Sequence, residues 1–151
     1  MATDKPVLVV DDFSDGRELL AEYLEWRGFR VSTAASGDEA IASAVQTRPA
    51  AILMDLGMPG MDGWEATRVM RSMPALCDVL IVAVTAHALT RETEAALRAG
   101  CDAVVAKPFD LAAFADALDV AIVDGPAVFT RMPDSRGTVR DARTWRGSPI
   151  G

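Results

Sequence analysis

Short apolar runs alternate along this chain with amphipathic stretches. Residues 7–10 are four branched aliphatics in a row, and residues 50–54 and 79–84 repeat the pattern. Runs this short, with β-branched residues and no charge, suit strands buried on both faces, as in a parallel sheet. Residues 30–34 alternate more weakly and predict a strand nearer an edge. Residues 103–106 predict a short fifth strand.

The stretches between them predict helices. Ser14 or Asp15 can cap a first helix, with Glu18 placed for a capping box to Asp15 and an apolar face of Leu19, Leu20, Tyr23 and Leu24. Gly28 can end it in a left-handed conformation. A second helix is expected over about residues 38–46, stopping before Pro49. A third should start near Gly63 and end before Pro74. A fourth, capped by Thr90, should end at Gly100. A fifth, starting at Asp110, carries Leu111, Phe114, Ala115, Leu118 and Ile122 on one face.

Five β-α units joined by right-handed crossovers make an open α/β sheet with helices on both sides. The expected architecture is a flavodoxin-like three-layer sandwich with a five-stranded parallel sheet in the order 2-1-3-4-5. That order puts a ligand crevice beside the first and third strands. From Asp124 onward Gly, Pro, Arg, Ser and Asp dominate and apolar residues are mostly isolated. Residues 1–123 are therefore read as the domain and 124–151 as a flexible tail, too short for a separate effector domain. No internal repeat is present.

Composition narrows the class. The length of 151 residues suits one domain, and a hydrophobic content of 50% is enough for a sizeable core. No apolar run approaches the roughly 18 residues of a membrane span. The polar start, residues 1–5, leads straight into a strand without a signal peptide, so a cytoplasmic location is expected. The formal net charge of −7 is uneven: five Arg and three Asp from residue 124 give that end +2, leaving −9 for the body. An acidic body argues against nucleic-acid binding by the main fold. Cys77 and Cys101 lie in no metal-binding motif and are read as small thiols in or near the core. A disulfide between them is not expected in a reducing compartment.

The chemistry lies at the carboxyl ends of the expected strands. Asp11 and Asp12 follow the first, Asp55 the third, Thr85 the fourth, and Lys107 with Pro108 the fifth. Parallel strands bring these ends to one edge. Carboxylates crowded together repel, and one takes up a proton unless a cation neutralises them. Hard oxygen ligands suit Mg²⁺ or Mn²⁺, and no His or Cys ligands stand here for zinc. A carboxylate beside such an ion can attack phosphorus to give an aspartyl phosphate. A lysine ammonium and a threonine hydroxyl can then stabilise the phosphoryl oxygens.

These motifs resemble the receiver domain of response regulators in bacterial two-component signalling, of the single-domain, chemotaxis-regulator kind. The likeness spans about residues 5–123. It rests on Asp11-Asp12, on the loop Asp55-Leu56-Gly57-Met58-Pro59-Gly60-Met61-Asp62-Gly63, on Thr85-Ala86 and on Lys107-Pro108-Phe109. The resemblance implies that Asp55 is the phosphoacceptor. Asp12 would contact the metal directly, Asp11 directly or through water, and the Gly57 carbonyl would complete the site. Lys107 would pair with Asp55 and then with the phosphoryl group, and the Lys107-Pro108 bond is expected to be cis. The donor would be a phosphohistidine on a sensor histidine kinase or histidine phosphotransfer protein, with small donors such as acetyl phosphate as substitutes. Such a protein is a switch that catalyses only its own phosphorylation and dephosphorylation.

The resemblance also implies an output. Thr85, with Ala86 as its small neighbour, would move toward the phosphoryl group and reshape the face of helix four, strand five and helix five. The output protein is unnamed by the sequence, no membrane is involved, and a monomer or weak homodimer is expected. Ala113, Ala117 and Ala121 on helix five would permit close packing by a partner or a second copy. His87 and Gly57 would stand near the phosphoryl entrance, although His87 reads equally as an exposed loop residue. Val104 departs from the family pattern: many members carry Tyr or Phe there, whose ring swings with the threonine. Valine cannot make that motion. Switching would then rest on Thr85 and the 86–92 loop, or be weak.

The sequence also fits other readings. The chain reads also as a receiver module of a hybrid histidine kinase or longer regulator, or as a receiver that only binds partners. A Mg²⁺-dependent phosphohydrolase with an Asp nucleophile is the reading of a different class. It usually needs a second acid two residues after the nucleophile, where this chain has Gly57. Gly57, Gly60 and Gly63 lack the spacing of a dinucleotide fingerprint and are read as turn residues. Trp26 and Trp64 are expected in the partial core. Trp145, among Arg140, Arg143 and Arg146, reads as a disordered end or a docking motif.

Overall fold

The computed structural model describes residues 5–58, 62–86 and 90–131. The elements run β1 (Pro6–Val10), α1 (Ser14–Trp26), β2 (Arg30–Ala34), α2 (Gly37–Thr47), β3 (Ala51–Asp55), α3 (Gly63–Arg71), β4 (Leu80–Thr85), α4 (Thr90–Ala99), β5 (Ala103–Ala106) and α5 (Leu111–Asp124), followed by a 3-10 helix (Pro126–Arg131). All strand pairs are parallel, and the sheet order is β2-β1-β3-β4-β5, as expected.

Alternation within the strands builds two cores. Leu8, Val10, Ile52, Met54, Ile81 and Ala83 face α2, α3 and α4. Val7, Val9, Leu53, Val82 and Val105 face α1, α5 and the 3-10 helix. Burial on both faces is why β1, β3 and β4 contain no polar residue before their carboxyl ends. β2, at the edge, is only partly buried, which explains its weaker pattern. Among the described residues no helix is long and apolar enough to cross a membrane.

Helix ends follow local chemistry. Ser36 Oγ accepts the Glu39 N–H at 3.2 Å, and Glu39 Oε1 accepts the Ala35 N–H at 3.0 Å, so α2 starts one residue earlier than expected. Asp62 and Asp110 cap α3 and α5 through the N–H groups of Glu65 and Ala113, each at 2.9 Å. The first helix differs from expectation. Its N-cap is Phe13 with no side-chain cap bond, and Ser14 and Asp15 lie inside the first turn. Asp11 does the local work instead: its Oδ1 accepts the Phe13 N–H at 2.9 Å, and its carbonyl accepts Arg17 Nη1 at 2.7 Å.

Three further expectations are corrected. Leu19 is 59% exposed and Trp26 77%, because α1 turns Ala21, Leu24 and the partly buried Leu20 inward. Trp26 rests on the Tyr23 ring instead of entering the core, whereas Trp64 is partly buried against it. Ala117 and Ala121 are buried between α5 and the sheet and Ala113 is partly buried, so these alanines do not form a free docking face. Packing also continues past residue 123. The 3-10 helix carries Phe129 into the core, because one aromatic ring contributes enough apolar area to hold a short segment. Trp145 and its arginines lie outside the described residues.

At the pole opposite the acids, Arg71 joins three elements. Its Nε donates to the Gly100 carbonyl at 2.8 Å, its Nη1 to the Val79 carbonyl at 2.6 Å, and its Nη2 to Asp102 at 2.8 Å. Asp102 also accepts the Ile81 N–H at 2.9 Å. Arg71→Ala should lower stability by about 2–4 kcal/mol, because several half-buried acceptors lose their donor together. A urea midpoint unchanged from wild type would contradict this role. Nearby, Cys101 is buried, and burial pushes its thiol up to about 11, so it is inert; Cys77 is exposed and the two are free thiols.

Candidate functional site

The sheet order sets the strand ends side by side. The Asp11 N–H reaches the Ala34 carbonyl at 3.1 Å, Leu56 N–H the Val84 carbonyl at 3.3 Å, and Lys107 N–H the Thr85 carbonyl at 2.8 Å. β1 and β3 are neighbours, so Asp11 and Asp12 after β1 meet Asp55 at the end of β3. One carboxylate oxygen from each of Asp11, Asp12 and Asp55 lies within 4.8 Å of the others. Asp11 is buried, Asp55 half-buried and Asp12 exposed, so the cluster is reachable from solvent on one side. Thr85 is buried at the end of β4, and Ala86 after it is exposed. His87 and Pro59, Gly60 and Met61 of the acidic loop lie outside the described residues.

Lys107 differs in detail from the expectation. Its Nζ bonds to Asp11 Oδ2 at 3.3 Å, and it acts on Asp55 through its charge. Asp55 Oδ1 accepts instead from the Gly57 N–H at 3.1 Å. The ammonium goes to the more buried carboxylate, which has less water to stabilise it. The Lys107-Pro108 peptide bond is cis. Val104 is fully buried in the core facing α3 and α4.

The electrostatics are unbalanced. Burial pushes the Asp55 carboxyl up to about 6; the Gly57 N–H opposes this, the hydrogen bond and charge of Asp11 add to it, and the Lys107 charge opposes it. Three carboxylates meet one paired ammonium. That all-oxygen set, crowded and open on the Asp12 side, fits a hard divalent cation.

Gly63 contributes more than a turn. A Cβ there would lie 2.4 Å from the Asp55 carbonyl oxygen and 3.0 Å from Leu56 Cα. The start of α3 presses directly on the backbone that carries Asp55. Gly63→Ala must push that backbone away, costing about 1–3 kcal/mol of stability. A urea midpoint equal to wild type would contradict this.

A cleft of about 410 Å³ opens beside the acids. Asp11, Asp55 and Lys107 form its polar end, and Phe13, Leu20, Phe109 and Leu111 are among its apolar walls. Sequence reading missed these walls. The available signal was Phe13, a large apolar residue directly after the acidic pair and 63% exposed.

Comparison with known proteins points to one family. The family model described as response regulator receiver domain matches residues 7–119. The transcriptional regulatory protein PrrA of Mycobacterium leprae is 42% identical over 106 residues, 70% of this chain and 45% of that protein. The chain thus spans a little under half the length of such relatives. The polar-differentiation response regulator DivK of Brucella anthropi is 30% identical, covering 76% of this chain and 93% of its own. Among solved structures, the receiver domain of a sensor histidine kinase from Pseudomonas aeruginosa superposes with a TM-score of 0.74 at 36% identity. It covers 79% of this chain and 98% of that one, and holds a magnesium ion in its active site cleft.

Proposed function

The chain belongs to the response regulator receiver domain family, and from that premise we propose that it is a phosphoacceptor switch whose phosphorylated residue is Asp55. The observation that carries the reading is the meeting of Asp11, Asp12 and Asp55 within 4.8 Å, with Lys107 bonded to Asp11. The carboxylates of Asp11, Asp12 and Asp55 and the Gly57 carbonyl would hold Mg²⁺ or Mn²⁺, which supplies positive charge against the acids and the incoming phosphoryl oxygens.

The protein's own groups divide the remaining work. An Asp55 carboxylate oxygen attacks the phosphorus of a phosphohistidine. The P–O bond forms as the P–N bond breaks, and the electron pair returns to the imidazole. Lys107 turns from Asp11 toward the phosphoryl oxygens, and the Thr85 hydroxyl donates to another of them. Water attack on phosphorus later restores the carboxylate. The donor is a sensor histidine kinase or phosphotransfer protein. It must cover the cleft to reach Asp55, and the exposed Phe13 and Leu19 at its rim favour a protein surface there. The output is a change in the α4-β5-α5 face, and a stand-alone regulator and a module of a longer chain share this chemistry.

Receiver domains are signalling modules rather than classical enzymes, and Gly57 stands where an Asp-nucleophile phosphohydrolase needs its second acid. The test is to label the protein with acetyl phosphate and Mg²⁺ and to map the phosphate by peptide mass. One base-labile phosphate on the peptide holding Asp55 is expected. Label confined to another residue would overturn the assignment.

A further inference from the structure

Beyond α5 the chain turns back, and the 3-10 helix Pro126–Arg131 lies against α5 and the edge strand β5. Phe129 is only 1% exposed there. Its ring centroid is 5.7 Å from that of Phe114, and Phe114 is 4.6 Å from Phe109. The three rings form a row. One end is the residue following Lys107-Pro108; the other is the anchor of the C-terminal segment. Close-packed rings do not absorb displacement independently, so movement at one end is felt at the other.

The row matters because Val104 has no ring to couple the site to the β5 side. Resting on the receiver reading above, Lys107 must leave Asp11 for the phosphoryl group, carrying the adjoining Pro108 and Phe109. The packing described belongs to the unphosphorylated arrangement, with Lys107 at 3.3 Å from Asp11. A contact made better in one of two states favours that state.

We propose that Pro126–Arg131 is a latch, coupled to Asp55 through the row Phe109–Phe114–Phe129, that holds the resting Lys107 loop when seated and loosens on phosphorylation to uncover the β5–α5 edge. Linkage makes the coupling reciprocal: loosening the latch must favour the phosphorylated arrangement.

The test is hydrogen–deuterium exchange on the full chain with Mg²⁺, with and without beryllofluoride as a phosphoryl mimic. Amides of residues 127–131 should exchange at least about fivefold faster with the mimic, while amides at 55–58 and 85–86 become protected. Protection at the site with unchanged or slower exchange at 127–131 overturns the latch and leaves the receiver reading standing. No response at the site sinks the receiver reading and the latch with it. In a second arm, Phe129→Leu keeps an apolar anchor but shortens the ring row. Its half-saturating beryllofluoride concentration should fall at least about threefold. A value equal to or above that of wild type contradicts the coupling.

Discussion

Asp55→Asn should cut phosphate incorporation from acetyl phosphate by at least about a hundredfold and, without divalent cations, make the fold more stable at neutral pH. The first effect follows from the proposed role of Asp55: the amide oxygen that replaces its carboxylate carries no charge to attack phosphorus. The second follows from the site's imbalance. Burial and Asp11 raise the Asp55 carboxyl from 3.8 to about 6 in the folded protein. The folded chain therefore binds this proton more tightly than the unfolded chain. Stability falls as pH rises from about 4 to about 6, and the cost of the buried carboxylate is complete above that. Asparagine removes the cost. After discounting for solvent screening at this half-exposed group, the gain is about 1–2 kcal/mol at pH 7 and vanishes near pH 4. Thermal unfolding in chelator at both pH values checks the sign. A variant less stable than wild type at pH 7 would mean that the Gly57 bond and Lys107 outweigh burial.

Withdrawing divalent cations should lower phosphate incorporation by at least about a hundredfold, with Mg²⁺ or Mn²⁺ restoring it. Without a cation, Asp11, Asp12 and Asp55 stand within 4.8 Å of one another and repel an incoming phosphoryl dianion. Lys107 is already paired with Asp11 and offsets only part of that charge. A proton and a metal ion compete for Asp55, so apparent Mg²⁺ affinity should weaken as pH falls through about 6, up to about tenfold per pH unit. Calorimetric titration at several pH values measures this. A pH-independent affinity would place Asp55 outside the ligand set, and full incorporation in chelator would remove the metal from the chemistry.

Where sequence reading went astray, distant packing had overridden a local signal. Ser14 and Asp15 are good capping residues, but Asp11 reaches forward to the Phe13 N–H and starts α1 without them. Leu19 fits an apolar helix stripe, but the sheet under α1 receives Leu20 and Leu24. Phe129 ends the short run Ala127-Val128-Phe129 in a stretch otherwise rich in Gly, Pro and Arg, so only its meeting with Phe114 shows that packing continues there. The family resemblance implies that Lys107 pairs with Asp55, but its hydrogen bond goes to Asp11, a choice set by the relative burial of two carboxylates.

What the sequence determined by itself was the set of parallel strands and the residues at their carboxyl ends. Both are written in short-range terms: uninterrupted apolar runs for strands buried on two faces, and polar residues placed directly after them. The tertiary structure alone decided which acid takes the lysine, which faces of α1 and α5 meet the sheet, how closely Gly63 presses on Asp55, and where the C-terminal segment seats. Those outcomes depend on distances between segments far apart in the chain, and burial and charge are balanced only once the segments have met.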